Sequence, residues 1–296
     1  MSQGLKRKKS LFKKSNMFPV FALALSMGGF ALFYFLPFVI SSAYAFTENP
    51  LQMKFAGFHN FIDLFHNRYF LLGLKNTVVF MAFAIPLSII SSLLLSLALK
   101  EFKRLGNLFS IIFLIPLMLP SASTVQFWVH IFSDQGVINH FLRQLGIAGP
   151  SWLSNDYIMG VMIFIYVWKN LGYNAVLFLT GLYGIPEVYY NCASVYGANM
   201  WQRFCHVTLV YLTPSFFLVF IMSFVNSFKI FREVYLIQGD YPSEKIYLLQ
   251  HFVNSTLLSL HYQKLVSAVY VLTVLVALVV LAVFQFERRF SRNLSD

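Results

Sequence analysis

Runs of roughly twenty apolar residues recur along this chain, at residues 17–40, 76–99, 108–132, 157–182, 208–225 and 266–284. Each is long enough for a helix to cross the hydrocarbon core of a bilayer. Composition agrees: 58% of the 296 residues are hydrophobic and only 11% charged, against about 45–50% and 25% in a soluble domain. The expected fold is all-α, a polytopic membrane protein whose six transmembrane helices form one bundle.

Lys and Arg set the orientation, because short cytoplasmic loops collect positive charge. With both termini inside, the inner side holds Lys6, Arg7, Lys8, Lys9, Lys13, Lys14, Lys100, Lys103, Arg104, Arg203, Arg288, Arg289 and Arg292. The outer side holds Lys54, Arg68, Lys75, Arg143, Lys245 and Lys264. That asymmetry of about two to one predicts a multi-pass membrane protein with both termini cytoplasmic. The net charge of +11 then reflects orientation and contact with anionic membrane lipid, and no nucleic-acid partner is expected.

The basic start, an apolar run and Ala43-Tyr44-Ala45 imitate a signal peptide, but the run exceeds the roughly 7–15 residues of a signal core. Residues 1–16 read as a basic cytoplasmic tail, 17–286 as the membrane domain and 287–296 as a second tail. Cys192 and Cys205 fall on the reducing side, where disulfides rarely persist.

No phosphate loop, zinc helix or nucleophile turn is present in the sequence, so the chain is expected to lack an ATPase motif of its own. His59 and Asp63, and His130 and Asp134, stand four apart, but two ligands make a weak metal site. No metal or cofactor of its own is expected.

The inner segment 183–210 is polar and punctuated by Gly. Pro186-Glu187 marks a helix start, with an acid at the positive end of the helix dipole. Tyr189, Cys192, Ala193 and Tyr196 share one stripe, Gly197 interrupts it, and Trp201, Phe204, Cys205 and Thr208 resume the spacing. A helix, a turn and a second helix on the inner surface follow from that pattern. Spacing alone fits a helix resting among headgroups as well as a docking surface.

The residues Ile185-Pro186, Ala193, Gly197-Ala198, Trp201-Gln202-Arg203-Phe204, Thr208-Leu209 and Pro214 resemble the cytoplasmic "EAA" loop of permease subunits in binding-protein-dependent ABC importers. Outside the loop, Phe55-x-Gly57-x-x-Asn60-Phe61 through Asn76-Thr77, and Ser227-Phe228-Lys229-x-Phe231, are similar to segments of the carbohydrate-importing branch, including the larger membrane subunit of maltose-type importers. The resemblance covers nearly the whole chain and implies a type I importer permease. It further implies a second permease subunit, two ATP-binding-cassette ATPases that use ATP and magnesium, an extracellular solute-binding protein, and a carbohydrate or related polar solute.

In that family the loop is a coupling helix seated on the ATPase. The resemblance assigns this role to Glu187, Asn191, Cys192, Ala193, Tyr196, Gly197, Ala198, Trp201, Arg203 and Phe204. The chain departs from the pattern where Asn191 stands in place of Glu, Cys192 of Ala, Tyr196 of Asp and Val210 of Pro. An Asn accepts hydrogen bonds without the charge assistance that about doubles their strength, so coupling here is expected to act through shape with different polar contacts.

Ionisable groups within spans mark candidate solute contacts. Lys169 lies mid-span in Trp168-Lys169-Asn170-Leu171-Gly172-Tyr173-Asn174. Asn170 and Asn174 offer amides to sugar hydroxyls, and Tyr173 and Trp168 offer rings. The same groups also suit helix-to-helix bonding, and Lys169 has Glu233 as an alternative partner. Asn226, Lys229 and Glu233, with Arg232, recur in the fifth span, where long cations also snorkel. Gln126, Trp128 and His130 are weaker candidates. Positive charge along the path suits an anionic solute. Two rivals carry less support: an ion-gradient-driven secondary transporter requires related halves or a central acid, and a membrane enzyme requires a convergent catalytic set.

Overall fold

Asn67 starts the longest buried helix: its side chain accepts hydrogen bonds from the backbone N–H groups of Tyr69 and Phe70 at 3.0 and 3.2 Å. Capping satisfies amides that have no partner inside the helix. The helix therefore begins at Arg68, well before the apolar run, and continues to Glu101. The computed structural model describes residues 17–48, 54–102, 106–154 and 156–295. The basic tail 1–16, Lys103 and Arg104 lie outside the described residues.

The described elements are helices α1 Pro19–Ala45, α2 His59–His66, α3 Arg68–Glu101, α4 Gly106–Met118, α5 Ser121–Phe132 and α6 Val137–Gln144. They continue as α7 Ile158–Tyr183, α8 Glu187–Val195, α9 Met200–Arg203, α10 Thr213–Gln238, α11 Leu249–Leu258 and α12 Tyr262–Ser295. Five are long and apolar enough to cross a membrane, or six spans if the bent pair α4 and α5 counts as one.

That bent pair corrects the reading of 108–132 as one plain span. The chain turns by 100° between α4 and α5. Pro116 lies inside α4, and Pro120 precedes α5 with φ −58° and ψ 143°. Proline removes a backbone donor and biases its predecessor away from helix. Other ends shift as well: α12 runs through 287–295, which sequence set apart as a tail, and α10 carries a tight 3-10 turn at Phe228–Ile230.

Close packing centres on α3, α7 and α10. On α3 the buried residues Phe80, Ala84, Ser88, Ser92, Ser96 and Leu99 recur every three to four positions, so small side chains line the seam and let backbones approach. Ser92 and Ser96 return their hydroxyls to carbonyls of their own helix. On α7, a Cβ on Gly172 would collide with the carbonyl of Phe113 in α4. A Cβ on Gly181 would meet Ser215 of α10. By contrast α1 is exposed along its apolar length. Its Phe38 stacks on Tyr270 of α12 at 4.5 Å, and the Tyr270 hydroxyl donates to the Phe38 carbonyl.

One end of the bundle gathers the three segments 41–75, 133–156 and 239–264. Asn60 donates to the carbonyls of Ala45 and Thr47, Arg68 pairs with Glu244 and Lys245 with Asp156. Asn139 ties its loop by donating to the Pro150 carbonyl and accepting from the Trp152 indole at 2.8 Å. The end of α3 and the α8–α9 segment meet at the other end, where the Lys100 ammonium sits 4.8 Å from the Tyr190 ring centre, a cation–π contact.

Candidate functional site

The break between α4 and α5 opens a cavity of about 530 Å³ bounded by Leu119, Pro120 and Ser121, by Tyr166, Lys169, Asn170 and Tyr173 of α7, and by Met222, Asn226, Lys229, Arg232 and Glu233 of α10. Helical spacing explains the set: 166, 169, 170 and 173 share one face of α7, and 222, 226, 229 and 233 one face of α10. Because α5 begins at Ser121, the positive end of its dipole faces this cavity.

Lys169 Nζ lies 2.6 Å from Glu233 Oε1, with Glu233 almost wholly buried. The Ser121 hydroxyl donates to the same carboxylate oxygen at 2.9 Å. The acid is thus held by an ammonium, a hydroxyl and a helix N-terminus. A second chain runs beside it: Lys229 donates to Asn226 at 2.8 Å, Asn226 to Asn170 at 3.0 Å, and Asn170 to the Tyr166 carbonyl at 2.8 Å. The Tyr166 hydroxyl closes onto the Ser223 carbonyl. Each amide is therefore held in a fixed orientation.

Five of the predicted path residues, Lys169, Asn170, Tyr173, Asn226 and Lys229, line this cavity. Asn174 does not. It is fully buried and donates to the hydroxyls of Ser88 on α3 and Ser223 on α10, so it joins three helices and does not line the cavity. Four residues of α-helix turn through about 400°, which separates Asn174 from Asn170 enough to place it in the seam. Trp168 also points elsewhere, packing against Phe127 and Trp128, and Gln126, Trp128 and His130 are not among the cavity residues. Ser121 and Tyr166 were missed. The signal for Ser121 was the Leu119-Pro120-Ser121 helix break.

At the other end, the inner segment folds as α8, a turn and α9. Gly197 takes φ +76°, a left-handed conformation that glycine adopts without steric cost. Asn199 and Gln202 then cap α9 reciprocally: Gln202 N–H donates to the Asn199 side chain at 2.8 Å, and Asn199 N–H to the Gln202 side chain at 2.9 Å. This is a capping box. Ile185, Leu182 and Leu212 form the buried seat below, and the Tyr190 hydroxyl bonds Thr208 at 3.0 Å. Arg203 donates to the Ser194 hydroxyl at 3.0 Å, drawing α9 onto α8.

Above that seat the surface is open. Glu187, Asn191 and Cys192 are exposed, and Ala193, Ala198 and Phe204 are partly so. Tyr196 is 91% exposed, Met200 80% and Trp201 70%, three large apolar side chains on one surface. The stripe of Tyr189, Cys192, Ala193 and Tyr196 faces outward, and Tyr190 makes the anchoring contacts. A cleft of about 850 Å³ runs beneath, between the end of α3 and Tyr190, Met200, Trp201, Arg203 and Phe204.

His59 and Asp63 form an exposed pair at 3.4 Å. Among the described residues no group of three His, Cys, Asp or Glu side chains is arranged to hold a metal, and Cys192 and Cys205 are free thiols.

Residues 84–296 match the family model described as "Binding-protein-dependent transport system inner membrane component". The lactose transport system permease protein LacF of Rhizobium radiobacter is 30% identical over 70% of this chain and 70% of its own length. The sn-glycerol-3-phosphate permease UgpA of Yersinia enterocolitica is 27% identical over 60% of this chain and 61% of its own. The crystal structure of a bacterial ABC transporter that imports the acidic polysaccharide alginate superposes with a TM-score of 0.81, at 21% identity, over 95% of this chain and 99% of that one. An alginate transporter in complex with a pentasaccharide-bound periplasmic protein gives 0.77, at 20% identity, over 96% of each chain. With its helical bundle, its broken third span and its helix–turn–helix at α8–α9, this chain belongs to the family of binding-protein-dependent transport system inner membrane components and is a permease subunit of an ABC importer.

Proposed function

We propose that this chain forms one half of the translocation path for a carbohydrate or related polar solute, and that its α8–α9 surface receives the force of ATP hydrolysis from a partner subunit. The observation that carries the reading is the rigid mounting of an exposed apolar surface. Tyr196, Met200 and Trp201 are open to solvent, while the backbone beneath them is fixed by a capping box and by Tyr190. Such a patch rimmed by polar groups marks a protein interface.

Glu187, Asn191, Cys192, Ala193, Tyr196, Gly197, Ala198, Trp201, Arg203 and Phe204 make the coupling surface in this reading. Lys169, Asn170, Tyr173, Asn226 and Lys229 serve the solute. Movement of α8–α9 reaches the cavity through α7, whose last turn leads into α8 and whose middle carries Lys169. About fourteen residues separate Lys169 from that end, roughly 21 Å of helix.

The assembly implied is this chain, a second permease subunit, two ATPase subunits binding ATP and magnesium, and an extracellular solute-binding protein. The alginate transporter bound to its periplasmic protein and the family description support the binding protein in that assembly. The chain itself binds no cofactor and catalyses no reaction in this reading. It resides in a prokaryotic plasma membrane with both termini cytoplasmic, in keeping with the charge asymmetry and with the gathering of segments 41–75, 133–156 and 239–264 at one end.

The test is purification of the tagged chain from detergent-solubilised native membranes, with mass spectrometry of what co-purifies. Recovery of an ATP-binding-cassette subunit and a second permease is expected. A homogeneous single-chain species that transports on an ion gradient would overturn the reading.

A further inference from the structure

The cations around the cavity are not equivalent. Lys169 is neutralised by Glu233 at 2.6 Å. Lys229 is held by a neutral amide, Asn226, and among the described residues neither Lys229 nor Arg232 forms an ion pair. Three positive side chains and one negative one line the cavity, leaving two charges uncompensated. Both belong to the same face of α10, at i and i+3. Lys229 and Arg232 also line the adjoining groove, about 350 Å³, formed with Gln250 and Asn254 of α11.

We propose that the solute is an anionic carbohydrate or polyol, bearing a carboxylate or phosphate that Lys229 and Arg232 receive together, while Lys169 serves to hold Glu233. The proposal rests on the reading of this chain as an importer permease. A neutral sugar needs hydroxyl partners, which Asn170, Asn226 and Tyr173 supply. Two uncompensated cations repel one another and so raise the energy of the empty cavity, and an anion relieves that repulsion. Guanidinium and ammonium both suit the two acid groups, the first by a planar fork and the second as a point charge. The groove at Lys229 and Arg232 adjoins the loops of the gathered end, so the anion meets these cations before it reaches Asn170.

Carboxylate and phosphate are distinguished by two matched pairs of probes in native cells carrying the complete importer. The pairs are trigalacturonate with its methyl ester, and sn-glycerol 3-phosphate with glycerol. Uptake that depends on this chain is expected for the charged member of one pair and for the neutral member of neither. Arg232→Gln and Lys229→Gln each lower uptake of the charged probe about tenfold, the loss of one charge-assisted hydrogen bond. Arg232→Lys retains most of it. Both positions are exposed, and membrane levels of each variant are checked by blotting.

Chain-dependent uptake of methyl-esterified trigalacturonate, glycerol, lactose or raffinose overturns the proposal. So does unchanged uptake of a charged probe in the Arg232→Gln, Lys229→Gln double variant, or recovery of a neutral solute from the binding protein purified with the importer. Failure to recover an ATPase subunit would instead remove the importer reading itself, so the two failures are separable.

Discussion

The side-chain amide of Asn76 reaches the carbonyl of Tyr247 at 3.0 Å, across the gap between α3 and the segment leading into α11, and donates its other hydrogen to Glu244 at 2.7 Å. The next residue, Thr77, accepts from the backbone N–H of Leu249 at 2.9 Å. Gly73, one turn earlier, lets the Leu249 backbone come close enough that a Cβ would stand 3.0 Å away. Three positions of α3 thus clamp the segment 244–249. Asn76→Leu leaves two carbonyls without their donor, at about 1–3 kcal/mol each. Faster amide hydrogen exchange in 244–258 is expected, with little change in the lower half of α3.

Gly197 holds φ at +76°, whereas proline is fixed near −65°. Gly197→Pro is expected to misplace α9 and abolish transport while leaving membrane insertion intact. Gly197→Asn, which tolerates the left-handed region, should retain part of the activity. Uptake normalised to membrane level measures both. Normal transport by the proline variant would exclude this loop as the coupling element.

Removing Lys169 alone strands the Glu233 carboxylate, which is 2% exposed. Breaking such a buried pair costs on the order of 3–5 kcal/mol. Lys169→Met should therefore lower the denaturation temperature in detergent substantially, whereas Lys169→Met combined with Glu233→Leu should recover most of the loss. A single variant as stable as the wild type would mean that the pair contributes little to the fold.

Two glycines of α7 make a matched comparison. Gly172→Ala would drive a Cβ into the Phe113 backbone, an overpacking cost of about 1–3 kcal/mol, and should loosen α4. Gly160→Ala meets nothing within 4 Å and gains up to about 1 kcal/mol of helix propensity. Opposite shifts in thermal unfolding are expected.

His251, in the segment 239–264, is pushed down to about 4 by burial, partly offset by backbone hydrogen bonding at Leu248 and by the negative charge of Asp240. Its folded form stays neutral while the unfolded segment, titrating near 6.5, takes up a proton. Stability is therefore unaffected above pH 6.5 and falls as pH drops from there toward 4, by about 3 kcal/mol at most. His251→Gln keeps an acceptor for Leu248 and should flatten that pH dependence, read by proteolysis of the outer segment at pH 7 and pH 4.5.

The helical class, the number of spans and the inner helix–turn–helix were legible because each depends on local pattern: apolar length for the spans, and Pro186 and Gly197 for the loop. The break at Pro120 was visible as a residue but was not weighed against the continuous hydropathy around it. Asn174 shows a different limit. Its amide bonds hydroxyls 86 and 49 positions away in the chain, so only the tertiary arrangement tells solute contact from internal bonding. The Lys169–Glu233 pair stood open for the same reason, since polarity in a span gives chemistry without a partner. The reciprocal cap of Asn199 and Gln202 was readable at three-residue spacing and went unread.

The bend between α4 and α5 also exposes main chain. Thr124 makes the first backbone bond of α5, to Pro120 at 3.0 Å, which leaves the N–H groups of Ser121, Ala122 and Ser123 ahead of the intrahelical ladder. Ser121 and Pro120 border the cavity, so the first turn of α5 lies at its wall, and a backbone amide is common to every residue except proline. Amino-acid replacement can recolour the rest of the wall and so change its chemistry. This strip would persist through such drift, a generic donor surface on which different specificities can be built without rebuilding the fold.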